Sequence, residues 1–257
     1  MRWTGLLVSV RDPAEAAEAM AGGATIVDVK EPGAGALGAA PPWRVAAVAR
    51  VVGARGWTCA CGELVDAADD QPPVGRLARY LREVIEAAPA APALVKAGMS
   101  ETVGLDWRRL LAEAVRAMPD GVGFVGVAYA DHRRARAPDP ESLVDAAAAA
   151  GCAGVLVDTF DKGGPGLFGH ATPATVAAWV GRAHAARLPI AVAGRLPLDA
   201  LGSAARTGAD VVAVRSAVCA PAGNPDLPMG DRDGTVQRSR VASAVSRLAE
   251  AAGRGAR

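Results

Sequence analysis

Three side chains in this sequence could attack a carbonyl: Lys30, Lys96 and Lys162 are the only lysines among its 28 basic residues, and the rest are arginine. A lysine amine that has lost its proton adds to an aldehyde or ketone and closes to a Schiff base. A guanidinium carries charge equally well but stays protonated, so it cannot. The chain is rich in alanine and glycine, the pattern of a high-GC coding sequence that drifts from lysine to arginine wherever charge alone is needed. The surviving lysines are therefore a filtered set. Two carboxylates lie near them in sequence: Asp28 in Asp28-Val29-Lys30, and Asp158 four residues before Lys162. Residues two apart on a strand share a face, so Asp28 should orient the Lys30 amine, balance its charge and relay protons. A carboxylate also raises an amine's pKa, whereas a nucleophile must be neutral. The charges of Lys96 and Lys162, together with loss of solvent, would push it back down. The plainer alternative is that Asp28 and Lys30 form an ion pair that only holds structure.

Something must bring these residues together. Short valine-rich runs at 6–10, 25–29, 58–61, 93–96, 123–128, 154–158, 190–193 and 211–214 alternate with alanine-rich helical stretches. Asp12-Pro13, Thr172-Pro173 and Leu196-Pro197 read as helix starts, with proline in the first turn, and 236–252 reads as a closing amphipathic helix. Eight strands each followed by a helix predict an α/β protein, a single (β/α)8 TIM barrel spanning residues 1–257 with a frayed C-terminus. An open doubly wound sheet is the alternative. In a barrel, chemistry sits at the C-terminal ends of the strands. Strand 2 ends in Asp28-Val29-Lys30, strand 4 in Val95-Lys96-Ala97-Gly98 and strand 6 in Asp158, with Lys162 in the next loop. A lone lysine is ordinarily a solvated surface residue. This rim is roughly a tenth of the chain, so three lysines would meet there by chance on the order of one time in a thousand.

The same rim offers an anion site. Barrels often hold phosphate with the loops after strands 7 and 8, which here read Ala193-Gly194-Arg195 and Val214-Arg215-Ser216. Gly194 lets the backbone approach a phosphate, while Arg215 and Ser216 supply donors; glycine turns and a surface arginine are the plain alternative. The Gly163-Gly164-Pro165-Gly166 loop could close over a ligand, and the 230–234 turn could contribute Arg232. Ser9, Glu63 and His170 are further rim candidates, with Arg195 and His132 nearby and His184 in a helical stretch. No HxH, HExxH or paired-cysteine spacing asks for a metal, and no cofactor is expected. Cys59 and Cys61 share a strand face and read as small core residues, and Cys152 and Cys219 add no framework of disulfides. A net charge of +1 gives no electrostatic case for nucleic acid or an anionic membrane. With neither a signal peptide nor a spanning segment, the expectation is a cytoplasmic homo-oligomer acting on a small phosphorylated aldehyde.

Beyond these residue-level readings, the sequence resembles the (5-formylfuran-3-yl)methyl phosphate synthases, the furan-forming enzymes of methanofuran biosynthesis. The matching pieces are Leu-Val-Ser with Asp-Pro-Ala-Glu-Ala, Gly-Gly-Ala-x-Ile-Val-Asp-Val-Lys, and Gly-Ala-Leu-Gly-Ala with Pro-Trp. Further on come Leu-Val-Lys-Ala-Gly, Val-Asp-Thr-x-x-Lys-x-Gly, Val-Arg-Ser-Ala-Val-Cys and the Gly-Asp-Arg turn. The likeness runs from residue 5 to about 240, and Val-Asp-Val-Lys is its most specific motif. It implies a (β/α)8 fold and the joining of two glyceraldehyde 3-phosphate molecules with loss of phosphate and water. It also implies Lys30 as the Schiff-base lysine and Lys96 as proton acceptor, with Asp28, Asp158 and Lys162 close by. Two alternatives share the same residues: a Schiff-base aldolase for a phosphorylated sugar, and a barrel that only binds a phosphorylated metabolite.

Overall fold

The computed structural model describes residues 3–65, 72–221 and 229–255. Its eight strands are β1 (Gly5–Val10), β2 (Ile26–Val29), β3 (Trp57–Glu63), β4 (Leu94–Gly98), β5 (Gly123–Tyr129), β6 (Gly154–Asp158), β7 (Ile190–Val192) and β8 (Val211–Val214). Every neighbouring pair is parallel, and β1 closes on β8 with Gly5 opposite Val211, so the sheet is a closed barrel. The single (β/α)8 TIM barrel expected from the sequence is the fold. Valine dominates because each strand is buried on both faces, which calls for compact β-branched side chains rather than alternation with polar ones.

Among the described residues ten α-helices surround the barrel: α1 (Pro13–Ala21), α2 (Pro42–Val52), α3 (Pro73–Ala87), α4 (Trp107–Arg116), α5 (His132–Ala135), α6 (Pro140–Ala150), α7 (Leu167–His170), α8 (Pro173–Ala185), α9 (Leu201–Arg206) and α10 (Arg238–Gly255). Asp12, Asp139 and Thr172 cap α1, α6 and α8, each accepting from an N–H three residues on. The Leu196-Pro197 start behaves differently. Its leucine has no oxygen to cap with, and the chain first makes a 3-10 turn at Leu198–Ala200 before α9. Arg254 and Gly255, expected to fray, lie in α10, while 256–257 fall outside the described residues. No helix among the described residues is long and apolar enough to cross a membrane.

Inside the barrel the packing is graded. Trp3, Leu7, Ile26, Val125, Val127 and Leu156 fill its interior, joined by the alanines Ala60, Ala191, Ala193 and Ala213. The small residues leave room beneath the rim that bulkier ones would occupy. That room opens into a cleft whose lining runs from Trp3 to Lys30, Lys96 and Lys162.

Candidate active site

β2 delivers Asp28 and, one residue past its end, Lys30; β4 delivers Lys96; the loop after β6 delivers Lys162. Asp28, Lys30, Lys96, Asp158 and Lys162 all line the one cleft, together with Gly194, Arg195, Arg215, Ser216 and Arg232. The structure thus brings the sequence-derived candidates into one place, but it pairs them differently.

Asp28 does not pair with Lys30. Its carboxylate forms a buried ion pair with the Lys96 ammonium, two strands away. The Thr58 hydroxyl donates to Asp28 Oδ1 at 2.7 Å and accepts from Lys96 at 3.2 Å, and Ser9 Oγ donates to Oδ2 at 3.1 Å. Asp28 is thereby held by β1, β3 and β4 at once. Asp158 likewise takes Lys162, with Nζ–Oδ1 at 2.6 Å, and accepts the Thr159 N–H at 2.7 Å. Burial would raise the Asp158 carboxyl, but Lys162 and Lys30 outweigh it and hold it below the usual carboxylate range.

Lys30 is left over. Its side chain is only 8% exposed, and among the described residues its amine has neither an ion-pair nor a hydrogen-bond partner. Burial pulls its pKa from 10.5 to about 7, helped by the Lys162 charge and opposed by Asp158 and Asp28. An ordinary lysine is neutral in roughly one molecule in 2,500 at pH 7; this one is neutral in about half. Two paired lysines and one buried, unpaired amine form a set in which nucleophile and proton carriers are already distinguished by their surroundings.

The anion end also departs from expectation. The Arg215 guanidinium cannot serve as a free phosphate donor, because all five of its N–H groups are occupied. They go to Glu15 Oε1 and Oε2 and to the carbonyls of Ser9, Arg232 and Gly234, at 2.9–3.2 Å. Backbone in the cleft lining offers donors instead. Gly194, at φ +104°, lies so close to Thr159 that a Cβ would come within 3.1 Å of the Thr159 nitrogen. The N–H groups of Gly194 and Ser216 donate to no other group among the described residues, which leaves them free to meet an anion. The loop after β6 is tied down rather than loose: Asp131 accepts the N–H groups of Phe160 and Asp161, and Arg195 Nη1 donates to the Lys162 carbonyl.

Several weaker candidates go elsewhere. Glu63 accepts from Tyr129 Oη at 2.5 Å and from the Ser100 N–H at 3.0 Å, and burial pushes the Tyr129 hydroxyl well up, with the Glu63 charge adding to it. Gly98 exists to admit this pair, since a Cβ there would lie 2.0 Å from Glu63 Oε2. His170 is exposed at the end of α7, His132 heads α5, and His184 pairs with Asp210. Cys59 and Cys61 lie 4.0 Å apart and pack in the apolar layer outside the barrel.

Sequence reasoning missed Thr58 and Glu15. Thr58 alternates with Cys59 on a strand of small residues and carries no signal of its own. Glu15 shares the buried face of α1 with Ala16 and Ala19, so a charge at a core position was the available clue. Replacing Thr58 by valine should cost about 1–3 kcal/mol in urea unfolding, because a buried ion pair loses a charge-assisted hydrogen bond. A loss below roughly 0.5 kcal/mol would mean that the hydroxyl supports nothing.

Comparison with known proteins identifies a family. The family model described as 4-HFC-P synthase matches residues 6–245. A (5-formylfuran-3-yl)methyl phosphate synthase of Methanopyrus kandleri is 34% identical over 250 residues, covering 96% of this chain and 98% of the relative. Its counterpart from Archaeoglobus fulgidus is 30% identical over 240 residues, covering 92% and 95%. Among solved structures, a 3-hexulose-6-phosphate synthase superposes with a TM-score of 0.60 at 17% identity, covering 96% of this chain and 99% of the other. The thiamine phosphate pyrophosphorylase of Pyrococcus furiosus does so with 0.60 at 15% identity, covering 97% of each. At those identities the structural likeness speaks for the barrel alone.

Proposed function

This chain belongs to the 4-HFC-P synthase family, and on that premise we propose that it joins two molecules of glyceraldehyde 3-phosphate through a Schiff base on Lys30. The product is (5-formylfuran-3-yl)methyl phosphate, and the atoms balance with one phosphate and two waters released. The observation that carries this reading is the isolation of Lys30: a buried amine without a carboxylate partner, in a cleft where both other lysines have one.

The neutral Lys30 amine adds to the carbonyl carbon of the first aldehyde, and the N–H proton passes to the oxygen, giving a carbinolamine. Lys96, ion-paired with Asp28, acts as the acid. It protonates the departing hydroxyl, which leaves as water, and the iminium forms. Lys96 is then a neutral amine and takes the proton from the carbon next to the iminium, giving an enamine and regenerating the ammonium. The enamine attacks the second aldehyde or expels phosphate, and cyclisation with dehydration yields the furan. Lys162 with Asp158 balances the charge beside Lys30, and the backbone N–H groups of Gly194 and Ser216 receive a phosphate. The resulting assignment makes Lys30 the nucleophile and Lys96 first acid and then base.

Reductive trapping tests it. With glyceraldehyde 3-phosphate and cyanoborohydride, the adduct should form on Lys30, and its rate should rise with pH through about 7, where the amine loses its proton, rather than near 10. Turnover without the reductant should release free phosphate and a product with furan ultraviolet absorbance. An adduct on Lys96 or Lys162, or no adduct at all, would overturn the assignment. A trapped adduct with aldol product and no phosphate release would make the protein an aldolase instead.

A further inference from the structure

The unexpected engagement of Arg215 leads across the molecule. Glu15 on α1 is buried, at 2% exposure, and its two oxygens collect five donors: the Arg11 N–H, Nε and Nη2, and both Arg215 terminal nitrogens. Burial favours the neutral acid, but Arg215 outweighs it and keeps the carboxyl ionised below its usual range. Each of the two guanidinium groups so fixed then turns its remaining donors on one short turn. Arg215 Nε donates to the Arg232 carbonyl at 2.9 Å and Nη2 to the Gly234 carbonyl at 3.2 Å. Arg11 donates to the Asp233 carbonyl at 2.9 Å and the Gly234 carbonyl at 3.3 Å. Three consecutive carbonyls are thus gripped by two arginines that share one carboxylate. The turn is also seated from below, with Gly230 N–H donating to the Ser216 carbonyl and Asp231 N–H to the Ala220 carbonyl.

What this turn holds out is Arg232. Its side chain is half-buried and lines the same cleft as Lys30, and among the described residues it donates one hydrogen bond, from Nη2 to the Gly35 carbonyl at 2.7 Å. Gly35 belongs to the loop that leaves β2 just after Lys30. Arg232 therefore bridges the two loops that flank the amine, with its charge near enough to Lys30 to help lower that pKa. A guanidinium in such a place has bidentate geometry available for a phosphate. The reaction needs two phosphorylated molecules in one mouth, whereas Gly194 and Ser216 provide for one.

We propose that Arg232 binds a substrate phosphate, forming a second anion subsite beside Lys30, and that Glu15, which does not line the cleft, is the positioning residue that sets it there through Arg215 and Arg11. This rests on the reading of the substrate as a phosphorylated aldehyde. The test compares glyceraldehyde 3-phosphate with unphosphorylated glyceraldehyde in reductive trapping by the full chain. Arg232→Ala should raise the half-saturating concentration of the phosphorylated aldehyde by roughly tenfold to a hundredfold, the loss of a hydrogen bond to a charged group, and shift the unphosphorylated one far less, through the Lys30 amine alone. Glu15→Gln should produce the same selective loss from outside the cleft. Equal losses with both aldehydes in Glu15→Gln would reduce Glu15 to a fold-holding role. Arg232→Ala, at a half-exposed turn, keeps the test open if Glu15→Gln fails to fold. No loss in Arg232→Ala, or equal loss with both aldehydes, would overturn the subsite. Should the unaltered protein trap neither aldehyde, the Schiff-base reading falls on its own, and calorimetry with inorganic phosphate decides here. Binding weakened tenfold in Arg232→Ala sustains the subsite; unchanged binding overturns it.

Discussion

Lys30→Met is expected to abolish turnover and the trapped adduct while making the protein more stable. The loss of activity should be at least roughly 10⁴-fold, the scale seen when a covalent nucleophile is removed. The gain in stability follows from the proton. In the folded protein the Lys30 amine titrates at about 7, against 10.5 ordinarily. Between those values the unfolded chain binds a proton that the folded chain does not, so stability rises with pH across that window. Below about 7 both states hold the proton, and the full cost of burying the charge is present. Methionine fills similar space without that charge. The variant should therefore exceed the parent by on the order of 4 kcal/mol at pH 7, and the difference should vanish as pH approaches 10.5. Urea unfolding at pH 7 and pH 10 measures both numbers. A variant less stable than the parent at pH 7, or a gap that does not shrink at higher pH, would mean that Lys30 is a satisfied structural residue. Lys30→Arg is a poor substitute for this experiment, since an unpaired guanidinium cannot shed its charge.

Asp28→Asn should act in the opposite direction on stability. The substitution keeps the shape and removes the charge that Lys96 faces. A buried ammonium left without its partner costs about 3–5 kcal/mol. Activity should fall as well, by about a hundredfold or more in kcat, because Lys96 loses the carboxylate that orients it. Lys96→Met alone strands the carboxylate and should destabilise similarly. The double variant leaves no lone charge and should be more stable than the sum of the two single changes requires. Denaturation of the three variants and the parent completes the cycle. Additive costs, or a loss under about 1 kcal/mol for Asp28→Asn, would show that the two groups are not coupled.

The two variants differ in sign because of the surroundings of each group, although Asp28 and Lys30 sit two residues apart. That contrast also marks where sequence reasoning reached its limit. Short apolar runs, most of them rich in valine, located all eight strands, since burial on both faces demands small or β-branched side chains locally. Asp12 and Thr172 marked helix starts because a cap is a contact between near neighbours. The scarcity of lysine, and its placement at strand ends, assigned Lys30, Lys96 and Lys162 to one rim from the sequence alone.

Partner choice was decided by the closed barrel. Adjacency in the chain favoured Asp28 for Lys30, yet the stagger of parallel strands, with Asp28 opposite Thr58 and Ala60 opposite Lys96, carries Lys96 to the carboxylate and leaves Lys30 alone. Arg215 followed the phosphate-loop pattern in sequence, but Glu15, 200 residues away on α1, occupies it. Periodicity and capping depend on a few neighbouring residues, so the linear sequence specifies them. Which charge meets which depends on register, barrel closure and the seat of a helix, and those exist only once distant segments have packed.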